Sequence, residues 1–253
     1  MNLLPLSLAL LVGFFMGALG SGGSIMMVPI LVYLVGMEPR ASIATSLMVV
    51  CLVSMVGAFR AWRVGRVRLR TGLTFASSAV LGSFGGAFLG RQISEVLQLT
   101  LFGAVVGTAA FWMLRRADER NPSSNRTVSL FWLLSRGFGV GILTGLVGVG
   151  GGFMIVPTLV LLGPGMSMQD AAGTSLMVIA LTSLTSATGY VGYFSLPWQI
   201  AASFSGLAAV GVLVGGRLAD RLRSDFLQRF FAWFMLGIAI FVLAMNLPSL
   251  LGS

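Results

Sequence analysis

Two glycine-rich clusters contain the residue types best suited to hold a small ligand. Glycine lets backbone amides approach a ligand closely, and the free N–H groups of a helix start favour an anion. Apart from Val149 in the second cluster, we predict that all of these residues bind substrate, with the serines adding hydroxyl donors on one side only. The clusters are Gly20, Ser21, Gly22, Gly23 and Ser24, and Gly148, Val149, Gly150, Gly151 and Gly152.

A hydroxyl pair follows each cluster in the next long apolar stretch. These pairs are Thr45-Ser46 and Thr174-Ser175. Their O–H groups could donate to an anion without placing a charge in an apolar environment. The alternative is that each hydroxyl donates to the helix carbonyl one turn earlier. Because the same pair occurs twice, we include all four residues among the predicted substrate-binding residues.

The residues that the chain lacks exclude most enzyme mechanisms. There is no His, and Cys51 is the single cysteine, so the commonest general base, the commonest metal ligand and multi-cysteine metal sites are all missing. We expect no catalytic residue, no metal and no cofactor. Apolar residues make up 57% of the chain and charged residues only 9%, which predicts a polytopic membrane protein. The sixteen arginines are then expected to mark cytoplasmic loops rather than a nucleic-acid surface.

The apolar stretches repeat after about half the chain. Placing Pro29 on Pro157, 128 residues later, aligns the two glycine clusters, and a one-residue shift then aligns the two Thr-Ser pairs. The prolines are expected in the early turns of short return helices, where a missing N–H costs least. We predict two repeats, residues 1–114 and 129–253, joined by a cytoplasmic linker at 115–128.

Loop charges indicate that the repeats are inverted. The loop at 60–70 carries five arginines whereas its counterpart, about 189–198, carries none; 217–229 carries four, and its counterpart at 91–96 carries one. Equivalent loops should therefore lie on opposite sides of the membrane. This topology places fourteen of the sixteen arginines in the cytoplasm and both termini outside it.

The predicted fold is all-α. Each inverted-topology repeat would contain one glycine-tipped re-entrant or broken-helix hairpin and three long transmembrane helices, since unusual backbone at membrane depth must be buried or line a cavity. Glycines at four-residue spacing, such as Gly13/Gly17 and Gly137/Gly141, are expected to pack helices together. Asp170 is expected to cap the helix that carries Thr174. Asp220 is expected to pair with Arg217 and Arg221 at the surface.

Arg136 is the ionisable residue that the sequence places closest to the interior of a predicted membrane span. We expect it to reach the cytoplasmic interface; the alternative is a cation that attracts the substrate at the inner mouth. The long apolar stretches have no carboxylate near their centres, which disfavours a carboxylate proton relay.

The doubled pattern G-x-x-x-G-x-x-G-x-G-G-x-x-x-x-x-P, followed by A-x-x-T-S-L, resembles the TauE/SafE family of sulfite exporters and toluene-sulfonate uptake permeases. The resemblance covers essentially the whole chain. It implies an inner-membrane permease for small sulfur-containing anions such as sulfite or sulfonates. The predicted function is therefore secondary transport of a small anion across the membrane by alternating access. The expected partners are that anion and the lipid bilayer. An anion channel with the same lining, or a non-transporting membrane subunit, is the alternative.

Overall fold

The computed structural model of the chain describes residues 3–90, 93, 95–117, 129–147, 152–162, 166–188 and 198–251. Every regular element in these ranges is helical, which confirms the all-α prediction. A π-helical segment, Ile30–Leu34, continues α2, and a 3-10 turn, Gly152–Met154, precedes α7. The α-helices are α1 (Leu3–Leu19), α2 (Ser24–Pro29), α3 (Pro39–Arg63), α4 (Leu69–Gly90), α5 (Glu95–Ala117), α6 (Leu130–Val147), α7 (Ile155–Leu162), α8 (Met168–Thr188), α9 (Trp198–Arg221) and α10 (Ser224–Leu251).

Three segments of the described chain are long and apolar enough to cross a membrane. They are Ala44–Arg63 within α3, all of α9, and Ser224–Ala244 within α10. Each has at least the roughly 20 residues needed to span the hydrocarbon core. Two shorter helical stretches, Ser7–Leu19 and Leu130–Thr144, are also apolar. The chain is therefore a multi-pass membrane protein.

The first helix of the chain packs directly on the backbone of α9. A Cβ atom added to Gly13 would lie 2.6 Å from the Ala208 Cα atom, and one added to Gly17 would lie 2.8 Å from the carbonyl carbon of Val212. These separations leave no room for a side chain. Helices α1 and α9 run parallel, because Gly13 faces Ala208 and, four residues later on both helices, Gly17 faces Val212.

Helices α4 and α6 form a second parallel pair of the same kind. A Cβ atom on Gly137 would lie 2.8 Å from the Phe75 carbonyl oxygen, and one on Gly141 would lie 2.9 Å from the Ala79 Cα atom. Small residues allow this close approach of backbones in a membrane. The packing role expected for the spaced glycines is thus found in both pairs.

Helix α3 crosses α8 in the buried centre of the protein. The Cys51 thiol donates to the Ala180 carbonyl with an S···O distance of 3.6 Å. A Cβ atom on Gly57 would lie 2.9 Å from Leu176 Cδ1. Helix α5 pairs with α10, where the Gln228 side-chain amide donates to the Met113 carbonyl over 2.9 Å.

The two prolines occupy different places in the short helices. Pro157 is the third residue of α7, in the first turn, where its missing N–H would have had no helical acceptor. Pro29 is the last residue of α2, directly before the π-helical segment. The early-turn expectation therefore fits Pro157 better than Pro29, which stands where the helix changes its hydrogen-bonding pattern.

Candidate functional site

The turn between α1 and α2, residues 20–23, places Ser21 in a buried position without a hydrogen-bond partner. Ser21 is 0% exposed, and its hydroxyl has no hydrogen-bond partner among the described residues. Ser24 differs, since its hydroxyl donates to the Ser21 carbonyl over 2.8 Å and so braces the turn. Buried hydroxyls are normally paired. The Ser21 hydroxyl is therefore available to a ligand.

Gly20 holds this turn against α8. Its φ of +80° lies in the left-handed region, which non-glycine residues rarely adopt. A Cβ atom at Gly20 would also lie 2.8 Å from the Ala172 Cα atom and would overlap the Ser175 hydroxyl. Glycine is required here both for the backbone angle and for the contact.

The described part of the second cluster reaches the first. A Cβ atom on Gly152 would lie 3.5 Å from Ser21 Cβ and 2.7 Å from Ile179 Cδ1. Ser21 thus lies beside the start of the second return segment. The other predicted residues of that cluster, Gly148, Gly150 and Gly151, lie outside the described residues, as does Val149.

Gly22 and Gly23 are both buried, and each faces a neighbouring helix. A Cβ atom on Gly22 would lie 3.0 Å from Phe231 Cε2 of α10. A Cβ atom on Gly23 would lie 2.7 Å from Met16 Cγ of α1. These contacts give both glycines a packing role in the turn.

Thr45 has the same character as Ser21. It lies in the second turn of α3, is 0% exposed, and its hydroxyl has no hydrogen-bond partner within the part of the chain that the structure describes. Ser46 is buried beside it along the helix. Thr45 and Ser21 therefore both present neutral, buried hydroxyls that a ligand could use.

Both hydroxyls of the second Thr-Ser pair form hydrogen bonds with backbone groups of the protein. The Thr174 hydroxyl oxygen accepts the backbone N–H of Arg68 over 3.1 Å. The Ser175 hydroxyl donates to the Ala172 carbonyl over 2.8 Å, three residues earlier in α8. The local back-bonding considered as an alternative is thus present at Ser175. Thr174 instead joins α8 to the loop between α3 and α4.

Arg136 lies in α6 and is half-buried. Its guanidinium carbon stands 5.3 Å from the centroid of the exposed Trp132 ring. A cation over an indole face one turn away is a typical stabilising contact, and Trp is common at membrane interfaces. The geometry accords with an interfacial position.

Sequence reasoning missed a charge cluster formed by residues more than 100 positions apart. Asp220 contacts Arg60 and, at 3.8 Å, Arg66. Asp170 contacts Arg66 at 3.3 Å and Arg68 at 3.5 Å. The expected pairing of Asp220 with Arg217 and Arg221 is replaced by these contacts. Nothing in the local sequence pairs the arginine loop with α8 and α9, so only the fold reveals the cluster.

Asp170 is not the cap of α8. The Ser167 hydroxyl accepts the Asp170 backbone N–H over 3.1 Å, three residues into the helix, as an N-cap serine does. The Asp170 carboxylate is therefore left to contact Arg66 and Arg68. The prediction that Asp170 caps α8 is therefore wrong, and the cap is Ser167, three residues earlier.

Comparison with known proteins assigns the family. Residues 6–242 match the family model described as "Sulfite exporter TauE/SafE". A "Probable membrane transporter protein" from Xylella fastidiosa strain 9a5c is 33% identical over 251 residues, covering 95% of this chain and 94% of the relative. One from Methanocaldococcus jannaschii is 29% identical over 216 residues, covering 77% and 80%. The chain therefore belongs to the sulfite exporter TauE/SafE family of membrane transporters.

Proposed function

We propose that the protein is a secondary transporter that moves small anions, sulfite and organosulfonates first, by alternating access. The names of the relatives support transport, and the family description supports a sulfur-containing anion. The observation that carries the proposal is the buried, unpartnered hydroxyl of Ser21 at a glycine turn. Hydrogen bonds to a charged partner are stronger than neutral ones, so an anion is the ligand that gains most from this donor.

Ser21 and Thr45 are the leading substrate donors in this proposal. Both hydroxyls are fully buried and unpartnered, and neither places a charge inside the membrane, which would be expensive. Gly20 and Ser175 shape the contact between the turn and α8. Gly148, Gly150 and Gly151 remain predicted contributors of backbone N–H groups.

We further propose that residues 1–114 and 129–253 are inverted repeats joined by the linker 115–128. Helix pairing supports this arrangement. Helix α1 packs on α9, and α6 packs on α4. The first helix of each proposed half therefore packs on the fourth helix of the other half. Such an exchange of partners is what a pseudo-twofold axis between the halves requires.

The α3–α8 crossing supports the same axis. Cys51 and Ala180, which are hydrogen-bonded, are 129 residues apart. The same separation relates Thr45 to Thr174. A direct contact between equivalent residues is expected where a pseudo-twofold axis passes through the protein. In this arrangement, the two glycine hairpins would be re-entrant and approach each other near the midplane.

The proposed orientation places the arginine-rich loops in the cytoplasm. Both termini then lie on the extracytoplasmic side of the bacterial inner membrane. Positive loops are retained on the cytoplasmic side. A reporter fused after Ser253 tests this directly. Activity of a reporter that works only in the cytoplasm would contradict the orientation.

Counterflow in proteoliposomes tests the transport function. Vesicles loaded with unlabelled anion are given labelled sulfite, sulfate, thiosulfate, sulfoacetate or taurine outside. A transporter should show uptake stimulated by internal substrate, and Ser21→Ala should reduce it. Ser77→Ala is the control, since that exposed hydroxyl only donates to the Thr74 carbonyl over 2.9 Å. Flux without trans-stimulation would indicate a channel, and no flux would indicate a subunit; either result rejects the proposal.

A further inference from the structure

The charge cluster of Arg60, Arg66, Arg68, Asp170 and Asp220 joins the two halves of the chain. Its three arginines belong to the end of α3 and the loop that follows, whereas its two aspartates belong to the start of α8 and the end of α9. Each ion pair in the cluster therefore links residues 1–114 to residues 129–253. The hydrogen bond from the Arg68 backbone N–H to Thr174 makes the same connection.

The Arg60–Asp220 pair is the most enclosed member of the cluster. The side chains are 16% and 24% exposed. Gly216 leaves room for the Arg60 guanidinium group, since a Cβ atom there would lie 3.0 Å from the guanidinium carbon. By contrast, Arg223 and Asp225 lie in and beside the α9–α10 junction, and their side chains are 77% and 51% exposed. Removing one partner of an exposed pair costs little, whereas removing one partner of an enclosed pair leaves an uncompensated charge and costs more.

Three residues of the cluster line a small cavity. The cavity has a volume of about 20 Å³, which is room for about one water molecule. Arg60, Arg66 and Asp220 line it together with Ala172, and Ala172 is the residue against which Gly20 packs. This volume leaves no room for a sulfur oxyanion inside the cavity. The remaining lining includes Gly17, Gly57, Ala61, Gly173, Leu176 and Gly216.

We propose that this cluster is a gate, closed in the present structure, whose ion pairs must separate before substrate can leave the Ser21 region at this end of the protein. The inference rests on the proposed alternating-access function. Opening this end of the protein requires the end of α3 and its loop to move away from α8 and α9, and that movement must break the ion pairs that join them. Weakening the Arg60–Asp220 pair should therefore increase the population of a state that is open at this end.

Thiol labelling can measure the gate without any substrate. The single native cysteine is buried Cys51. In a Cys51→Ala background, Ala61→Cys places one thiol on the cavity wall at a residue that is 5% exposed. The labelling rate of the purified protein with a water-soluble maleimide is then measured with Asp220→Asn, Arg60→Gln or Asp225→Asn added. Asp225→Asn is the matched control, because it removes the same charge from an exposed pair nearby.

We expect Asp220→Asn and Arg60→Gln each to raise the Ala61→Cys labelling rate about tenfold, since a minor state is typically populated at about 0.1–10%. Asp225→Asn should leave it unchanged. Native Cys51, labelled in the same two variants without Ala61→Cys, should remain slow. Unchanged labelling of Ala61→Cys would overturn the gate. An equal rise at Cys51 would also overturn it, because the pair would then be holding the fold together rather than a gate.

Failure of this test differs from failure of the proposed function. Loss of counterflow in the wild-type protein rejects transport but leaves the labelling result standing. Unchanged labelling beside normal wild-type counterflow rejects only the gate.

Discussion

Thr45 and Thr174 occupy equivalent positions of the proposed repeat, yet the surroundings of their hydroxyls differ. Both are fully buried near the start of a long helix, α3 or α8. The Thr174 hydroxyl accepts the N–H of Arg68, whereas no described residue forms a hydrogen bond with the Thr45 hydroxyl. The repeated residue type therefore has a structural role in one half and remains available for ligand binding in the other.

The donor to Thr174 comes from a loop rather than from a helix. Residues 60–70 contain five arginines, and this loop joins α8 through both Thr174 and Asp170. The equivalent segment in the other half, about 189–198, has no charge. The loop at 60–70 thus anchors α8 through Thr174 and Asp170.

The largest expected effect is at Gly20, which ties the first turn to α8. Gly20→Ala should destabilise the protein by about 2–5 kcal/mol, because a residue at positive φ costs about 1–2 kcal/mol and forced overpacking about 1–3 kcal/mol. Transport should be lost with it. Thermal unfolding in detergent and counterflow measure the two effects.

Gly36→Ala is the matched control for Gly20. Gly36 has a φ of +76°, but a Cβ atom there would meet nothing within 4 Å. It should cost only the conformational part, about 1–2 kcal/mol. Equal losses of stability in the two variants would show that the turn is not held tightly against α8.

The two threonines should respond differently to valine. Thr45→Val should raise the apparent substrate constant about tenfold or more, as expected for loss of a hydrogen bond to a charged group worth about 1.5–3 kcal/mol. It should not lower stability, since the hydroxyl has no partner to lose. Substrate dependence of counterflow measures the constant. An unchanged constant would make the Thr45 hydroxyl structural.

Thr174→Val should instead reduce stability by about 0.5–1.5 kcal/mol by removing the acceptor of the Arg68 N–H. Its apparent substrate constant should change much less than that of Thr45→Val. Unfolding midpoints and counterflow are measured on the same preparations. Equal rises of the constant in the two variants would remove the contrast between the halves.

Within the first turn, the two serines provide the same contrast on a smaller scale. Ser24→Ala loses one hydrogen bond to the Ser21 carbonyl and should cost about 0.5–1.5 kcal/mol. Ser21→Ala loses none and should retain full stability while binding substrate more weakly. Greater destabilisation by Ser21→Ala than by Ser24→Ala would show that Ser21 has an unrecognised structural partner.

The smallest effect is expected at the exposed Arg223–Asp225 pair. Asp225→Asn should change stability by less than about 0.5 kcal/mol, because exposed ion pairs are hydrated and screened. Transport should stay at the wild-type level. A larger loss in either measurement would mean that this pair takes part in the contacts between the halves.

The helical architecture and the approach of the first glycine cluster to Gly152 could be anticipated from local patterns. Glycine spacing predicted the close packing at Gly13 and Gly141, since small residues permit backbone contact. The patterns could not distinguish Thr45 from Thr174, because the deciding donor comes from a loop 106 residues away from Thr174. They also could not pair Asp220 with Arg60, 160 residues apart, since such contacts depend on how helices pack.

Direct binding of sulfite to the purified protein tests the central claim, that buried neutral hydroxyls in the first half hold the anion. Isothermal titration would compare the wild type with Ser21→Ala, Thr45→Val and Thr174→Val under one buffer condition. We expect binding by the wild type and by Thr174→Val, and affinity lowered about tenfold or more in the other two variants. Wild-type affinity in both Ser21→Ala and Thr45→Val would contradict the claim.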